Sequence, residues 1–86
     1  MGNNKTCIRN YTDDSIYVTL HYNLGKSSWN KREIKANDYS TDVFVDLNKE
    51  IDITIEGKYG TVKERLSAQE SDYYVVLSNN KYQIKS

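Results

Sequence analysis

The run EIDITIE, residues 50–56, constrains what this chain can fold into more than any other stretch. Isoleucine occupies positions 51, 53 and 55, and Asp52, Thr54 and Glu56 fill the places between. Successive side chains of a strand point to opposite faces, so this period of two makes one apolar face and one polar face. A helix would put Ile51 and Ile55 on one side and Ile53 on the opposite side, with no single apolar face for all three. The run therefore reads as a strand with one buried side and one wet side, the pattern of an antiparallel sheet packed on a core. GKYG at 57–60 and TVKERL after it read as the turn and return strand of a hairpin with a glycine-containing loop.

The same alternation predicts strands at 5–10 (KTCIRN), 15–22 (SIYVTLHY), 29–35 (WNKREIK), 40–47 (STDVFVDL), 73–78 (YYVVLS) and 81–85 (KYQIK). Turn chemistry separates them. TDD at 12–14, NLGKSS at 23–28, AND at 36–38 and Asn79-Asn80 are rich in residues that accept tight or left-handed backbone. Asn79-Asn80 has the length of a two-residue hairpin turn. The ambiguous segment is TVKERLSAQE at 61–70, whose Lys, Glu, Arg, Leu, Ala and Gln favour helix. Val62 and Leu66 suit a helical face and a strand face alike. The preceding hairpin favours strand to about residue 66, with a loop or one short helical turn near 66–72.

Seven or eight short strands at this spacing imply an all-β fold, a small antiparallel β-sandwich. Its expected core is Ile8, Ile16, Val18, Leu20, Trp29, Ile34, Val43, Val45, Leu47, Ile51, Ile53, Ile55, Val62, Leu66, Tyr73, Val75, Leu77, Tyr82 and Ile84, with Tyr22 also facing inward. Eighty-six residues without proline and with four glycines offer no linker, so one sandwich domain is expected over 5–86, behind a flexible N-terminus at 1–4.

Twelve basic and twelve acidic side chains cancel. Zero net charge disfavours a sequence-independent nucleic-acid binder and a polybasic membrane anchor, both of which need a basic field. Cys7 is the only cysteine, so neither an intramolecular disulfide nor a cysteine zinc site can form. With no signal-peptide core in the first twenty residues, a reducing, cytoplasmic setting is expected. The sequons Asn4-Lys5-Thr6 and Asn10-Tyr11-Thr12 then read as chance. MGNNKT fits the N-myristoylation pattern with Gly2 as acceptor, and membrane contact is expected only if Gly2 is acylated.

His21 is the single histidine and would need a nucleophile and an orienting partner to work as a base. Cys7 is the one candidate. A hairpin turn at 12–14 would set Cys7 opposite residue 19 rather than 21, which leaves the pair incomplete. Asp42 and Asp46 would share a strand face about 13 Å apart, too far to hold one ion. Asp13-Asp14 lacks calcium-loop spacing. No phosphate-loop, GxSxG or HExxH motif occurs. The chain is therefore read as a non-enzymatic protein that needs no metal and no cofactor.

The informative excess is aromatic: eight Tyr, one Trp and one Phe. Tyr11, Tyr17, Phe44, Tyr59 and Tyr74 fall on outward faces or turns. Tyrosine combines a large apolar area with a hydrogen-bonding tip and is enriched at recognition surfaces. The expected partner-binding residues are Tyr17, Thr19, His21, Phe44, Tyr59 and Tyr74. Their partner would be another protein or a second copy of the chain, since no proline guards a strand edge. A carbohydrate-binding, lectin-like module is the alternative, with Tyr11, Tyr17, Tyr59 and Trp29 as stacking faces and Asp14, Asn23 and Asn30 bonding hydroxyls. A hydrolase using His21 with Cys7 ranks third.

Overall fold

The computed structural model describes residues 5–22 and 28–86. The expectations for residues 1–4, for Gly2 acylation, for most of the 23–28 turn and for Asn23 lie outside the described residues, as does the side chain of Tyr22. Among the described residues nine strands follow one another: β1 Lys5–Thr6, β2 Ile8–Asn10, β3 Ile16–Tyr22, β4 Trp29–Ile34, β5 Val43–Phe44, β6 Glu50–Gly57, β7 Gly60–Ser67, β8 Tyr73–Ser78 and β9 Lys81–Lys85. They form a four-stranded sheet β4-β3-β6-β7, a three-stranded sheet β2-β8-β9 and the pair β1-β5. The protein is all-β, a small sandwich with no helix among the described residues.

EIDITIE supplies the centre of the four-stranded sheet. Ile51, Ile53 and Ile55 lie beside Tyr22, Leu20 and Val18 of β3 and beside Leu66, Glu64 and Val62 of β7. All three isoleucines are buried, as are Ile16, Val18 and Leu20. From the second sheet Ile8, Tyr73, Val75 and Tyr82 join the same core cluster. Val62, Leu66, Leu77 and Ile84 pack against it half-buried.

The β6–β7 and β8–β9 hairpins turn as their sequences require. Asn79 and Asn80 hold φ of 53° and 61°, so the β8–β9 turn closes in two residues with left-handed backbone that asparagine tolerates. Gly60 holds φ of 103° at the return of the β6–β7 turn, where a side chain would be strained. Gly57 opens that turn under the ring of Tyr82, whose hydroxyl occupies the space a Cβ would need. The same hydroxyl accepts a hydrogen bond from Tyr59 N at 3.3 Å, so β9 clamps the tip of a hairpin in the other sheet.

Four expectations are corrected. The predicted strand at 5–10 breaks at Cys7. Lys5–Thr6 pairs with β5, and Ile8–Asn10 pairs with β8 in parallel, through Ile8–Tyr73, Arg9–Tyr74 and Asn10–Val75. The sandwich is thus not wholly antiparallel. Alternation shows which residues face inward, but it carries no information about the direction of a partner some 65 residues away. The predicted strand at 40–47 shrinks to Val43–Phe44, because Asp46 builds a turn: its backbone oxygen accepts from Lys49 N at 2.9 Å and its carboxylate from Asn48 N at 3.0 Å. That turn carries Leu47 out of the expected core, leaving it 45% exposed. Of the two alternatives for 66–72, a loop or one short helical turn, the structure takes the loop. The β6 ladder holds β7 extended to Ser67, and Ala68 N then donates to Lys49 O, burying the Ala68 side chain. Backbone pairing and burial outweigh the helical propensity of the segment.

Among the described residues the buried polar side chains are Thr6, Asn10, Thr12 and Ser40. Asn10 Nδ2 donates to the carbonyls of Asp14 at 2.8 Å and Ile34 at 2.9 Å. Its Oδ1 accepts from Thr12 N and Thr12 Oγ1. Asn10 is therefore an internal fastener whose amide is fully committed within the chain.

Candidate binding face

The six expected partner-binding residues lie on separate surfaces. Tyr17, Thr19 and His21 share the outer face of the four-stranded sheet, opposite Glu56, Thr54 and Asp52 of β6. Arg65 reaches across from β7, its Nε donating to Asp52 Oδ1 at 2.8 Å. This hydrogen bond holds the Asp52 carboxyl below its ordinary pKa. A shallow groove of about 320 Å³ runs there, lined mostly by Asp52, Thr54, Lys63, Glu64 and Arg65. The face is charged and internally paired.

Phe44 stands on β5, half exposed, with Lys5 Nζ 5.5 Å from its ring centroid. Tyr59 sits in the β6–β7 turn and its hydroxyl donates to Asp13 Oδ2 at 3.1 Å. That hydrogen bond raises the phenol pKa and spends its polar tip within the chain. Tyr74 alone of the six belongs to a larger aromatic surface.

That surface is the outer face of the β2-β8-β9 sheet. On β2, Ile8 and Asn10 turn inward, so Arg9 is presented outward, and Tyr11, two residues on, is 54% exposed. Parallel pairing sets Arg9 beside Tyr74 of β8, and Tyr74 stands opposite Lys85 of β9. Tyr11 stacks on Tyr74, with centroids 5.4 Å apart and planes 26° from parallel. On the far side of Arg9, a single bridge to Tyr39 brings that ring, 60% exposed, under the guanidinium, whose Cζ lies 5.1 Å from the centroid. The result is one row: Tyr39, Arg9, Tyr74 and Tyr11.

Arg9 is held in this row. Its Nε donates to Asp72 Oδ2 at 2.6 Å, and Asp72 Oδ1 accepts from Cys7 N at 3.3 Å. The Asp72 hydrogen bond raises the arginine's pKa further above its already high value, so the cation is permanent. Among the described residues, Nη1 and Nη2 of Arg9 have no hydrogen-bond acceptor.

Sequence reasoning placed Tyr11 and Tyr74 outward but did not assign Arg9 or Tyr39 to a site. Alternation along β2 could have supplied Arg9. Tyr39 was beyond reach, because it joins the row through one bridge from an irregular segment.

The other candidate chemistries do not assemble. Cys7 Sγ donates to Asp42 Oδ1 at 3.4 Å, and burial, that hydrogen bond and the nearby carboxylates push the thiol pKa up. A nucleophilic thiolate needs the opposite environment. β2 pairs with β8 and not with β3, so the expected setting of Cys7 opposite residue 19 is also corrected, and His21 lies on a different sheet opposite Asp52. Asp42 binds Lys5 at 3.8 Å and Asp46 caps its own turn. No three His, Cys, Asp or Glu side chains among the described residues are grouped to hold a metal ion. Trp29, expected as a sugar-stacking face in the lectin-like alternative, is buried with Arg32 over its ring at 4.4 Å. No helix among the described residues is long and apolar enough to cross a membrane.

Comparison with protein-family models, with curated proteins and with solved structures returns no match.

Proposed function

We propose that this chain is a non-enzymatic protein-interaction module that engages a partner protein through the outer face of its three-stranded sheet. One observation carries this reading: three tyrosine rings and one arginine form an unbroken outward row, with Tyr39 and Tyr11 more than half exposed. Tyrosine and arginine are among the residue types enriched at protein interfaces and among their energetic anchors. Here the usual entropic cost of ordering them is reduced in advance, because Tyr11 is stacked on Tyr74 and Arg9 is tied to Asp72. The polar outer face of the four-stranded sheet lacks such a row.

The test is selection of binders from a random peptide display library with the purified domain, followed by mapping of amide shifts. The selected peptides are expected to move Arg9, Tyr11, Tyr39 and Tyr74 and to lose their binding to a Tyr11→Ser/Tyr39→Ser variant. Binders that map only to Tyr17, Phe44 or Tyr59, and ignore that variant, would overturn the reading.

A further inference from the structure

The outer face of the three-stranded sheet differs from the whole chain in charge. Register places Arg9 on β2, Asp72 just before β8, and Lys81 and Lys85 on β9 opposite Ser78 and Tyr74. Along these strands Arg9, Lys81 and Lys85 stand against Asp72, and Asp38 borders the row beside Tyr39, so cations outnumber carboxylates in a chain whose total charge is zero. The Asp72 carboxylate is already bound to Arg9 Nε. On the four-stranded sheet the balance is reversed: Glu33, Glu50, Asp52 and Glu56 outnumber Lys31, Lys63 and Arg65.

The geometry around Arg9 is specific as well as positive. Asp72 fixes the guanidinium by its Nε side, and the Tyr39 ring supports its flat face. The Nη1–Nη2 edge is left for an outside acceptor, and two parallel N–H donors match a carboxylate bidentately. Beside it, the stacked rings of Tyr11 and Tyr74 offer an apolar surface. Lys85 flanks Tyr74 on the other side and supplies a second, point-like cation.

We propose that the partner segment recognised here is an acidic peptide in which a Glu or Asp carboxylate stands next to an apolar or aromatic side chain. The carboxylate binds the Nη1–Nη2 edge of Arg9, the apolar neighbour packs on Tyr11 and Tyr74, and a second carboxylate meets Lys85. This rests on the face being a protein-interaction surface and adds the chemistry of what it accepts. A single-stranded nucleic acid would also use arginine and stacking rings, but it needs a cationic track along its backbone. Lys85 and Lys81 do not extend into one, since they sit four residues apart on a five-residue edge strand.

The experiment titrates the ¹⁵N-labelled full chain with two capped pentapeptides, one alternating Glu and Phe and one alternating Gln and Phe, and with a short oligothymidylate. The glutamate peptide is expected to shift Arg9 Nε–H and the amides of Tyr11, Tyr39 and Tyr74. It should bind roughly fivefold or more tightly than the glutamine peptide, an advantage that shrinks as salt rises. Arg9→Gln should remove most of the difference between the peptides, and Lys85→Gln, which leaves the Asp72 contact intact, should reduce it by a smaller factor. Equal binding of both peptides on this face would overturn the acidic class while leaving the interaction surface standing. Absence of any shift there with the glutamate peptide, or tighter binding of the oligothymidylate at the same residues, would also overturn it. Display-selected binders that map elsewhere would remove the surface itself.

Discussion

Asn10 and Thr12 form one hydrogen-bonded unit at the heart of the sandwich: the asparagine Oδ1 accepts from the threonine backbone N at 2.9 Å and from its Oγ1 at 2.6 Å. The Asn10 Nδ2 group meanwhile joins the Asp14 and Ile34 carbonyls, so one buried side chain links β2, the turn after it and the end of β4. Replacing it orphans several buried partners at once. Asn10→Ala is expected to cost about 2–4 kcal/mol, read as a drop in the midpoint of chemical unfolding. Asn10→Leu should fare no better, since matching its volume restores none of the bonds. A variant as stable as the parent would show that the network contributes nothing.

Gly57 and Tyr82 make a second, steric prediction. A Cβ at position 57 would meet the Tyr82 hydroxyl and also crowd its Cζ and the Ser15 carbonyl. Gly57→Ala should destabilise by about 1–3 kcal/mol. In a double-mutant cycle, Tyr82→Phe should recover part of that loss, even though it gives up the bond from Tyr59 N. Strict additivity would place the cost of the alanine elsewhere.

The register of β6 is open to a direct check. Ile53 is buried between Leu20 and Glu64 at the centre of the four-stranded sheet. Ile53→Asn loses its apolar contacts and buries an amide with no reserved partner, a penalty of about 3–5 kcal/mol. Thermal unfolding should shift to much lower temperature or lose its cooperativity. An unchanged midpoint would contradict the pairing.

Cys7 provides a pH-dependent test. Partial burial comes first and the Asp42 hydrogen bond second in raising its pKa, so the folded chain favours the protonated thiol. For an acid raised on folding, this contribution to stability is present below the unfolded thiol's pKa and is lost as pH rises through the folded value. Alkylation by iodoacetamide should consequently have its pH midpoint above that of the urea-unfolded chain. Asp42→Asn, which removes the acceptor's charge, should lower the midpoint in the folded state. Equal midpoints for folded and unfolded chains would refute the assignment.

The strands were legible to different degrees for identifiable reasons. In β6 and β9 the alternation is local and uninterrupted, so both lie close to where the sequence places them. β5 was overestimated because Val43, Val45 and Leu47 alternate correctly, while the turn built by Asp46 takes the last of them out of the sheet. For the binding face, Tyr11 and Tyr74 could be placed outward from their neighbours. Their union with Arg9 and Tyr39 could not, because it depends on a parallel ladder and a single bridge between distant segments.

Side-chain alternation and turn chemistry by themselves determined that this chain is all-β, which residues face inward along most strands, and where both tight hairpins turn. These are properties of neighbouring residues, set by backbone stereochemistry and by the exclusion of apolar surface from water. Which strands pair, in what direction, and which outward rings meet were decided only in the tertiary structure. Those choices follow from burying one shared core between sheets, and the energy of that burial belongs to no single segment. Tyr39, Arg9, Tyr74 and Tyr11 come from three separated stretches of sequence, and only the finished sandwich makes them one surface.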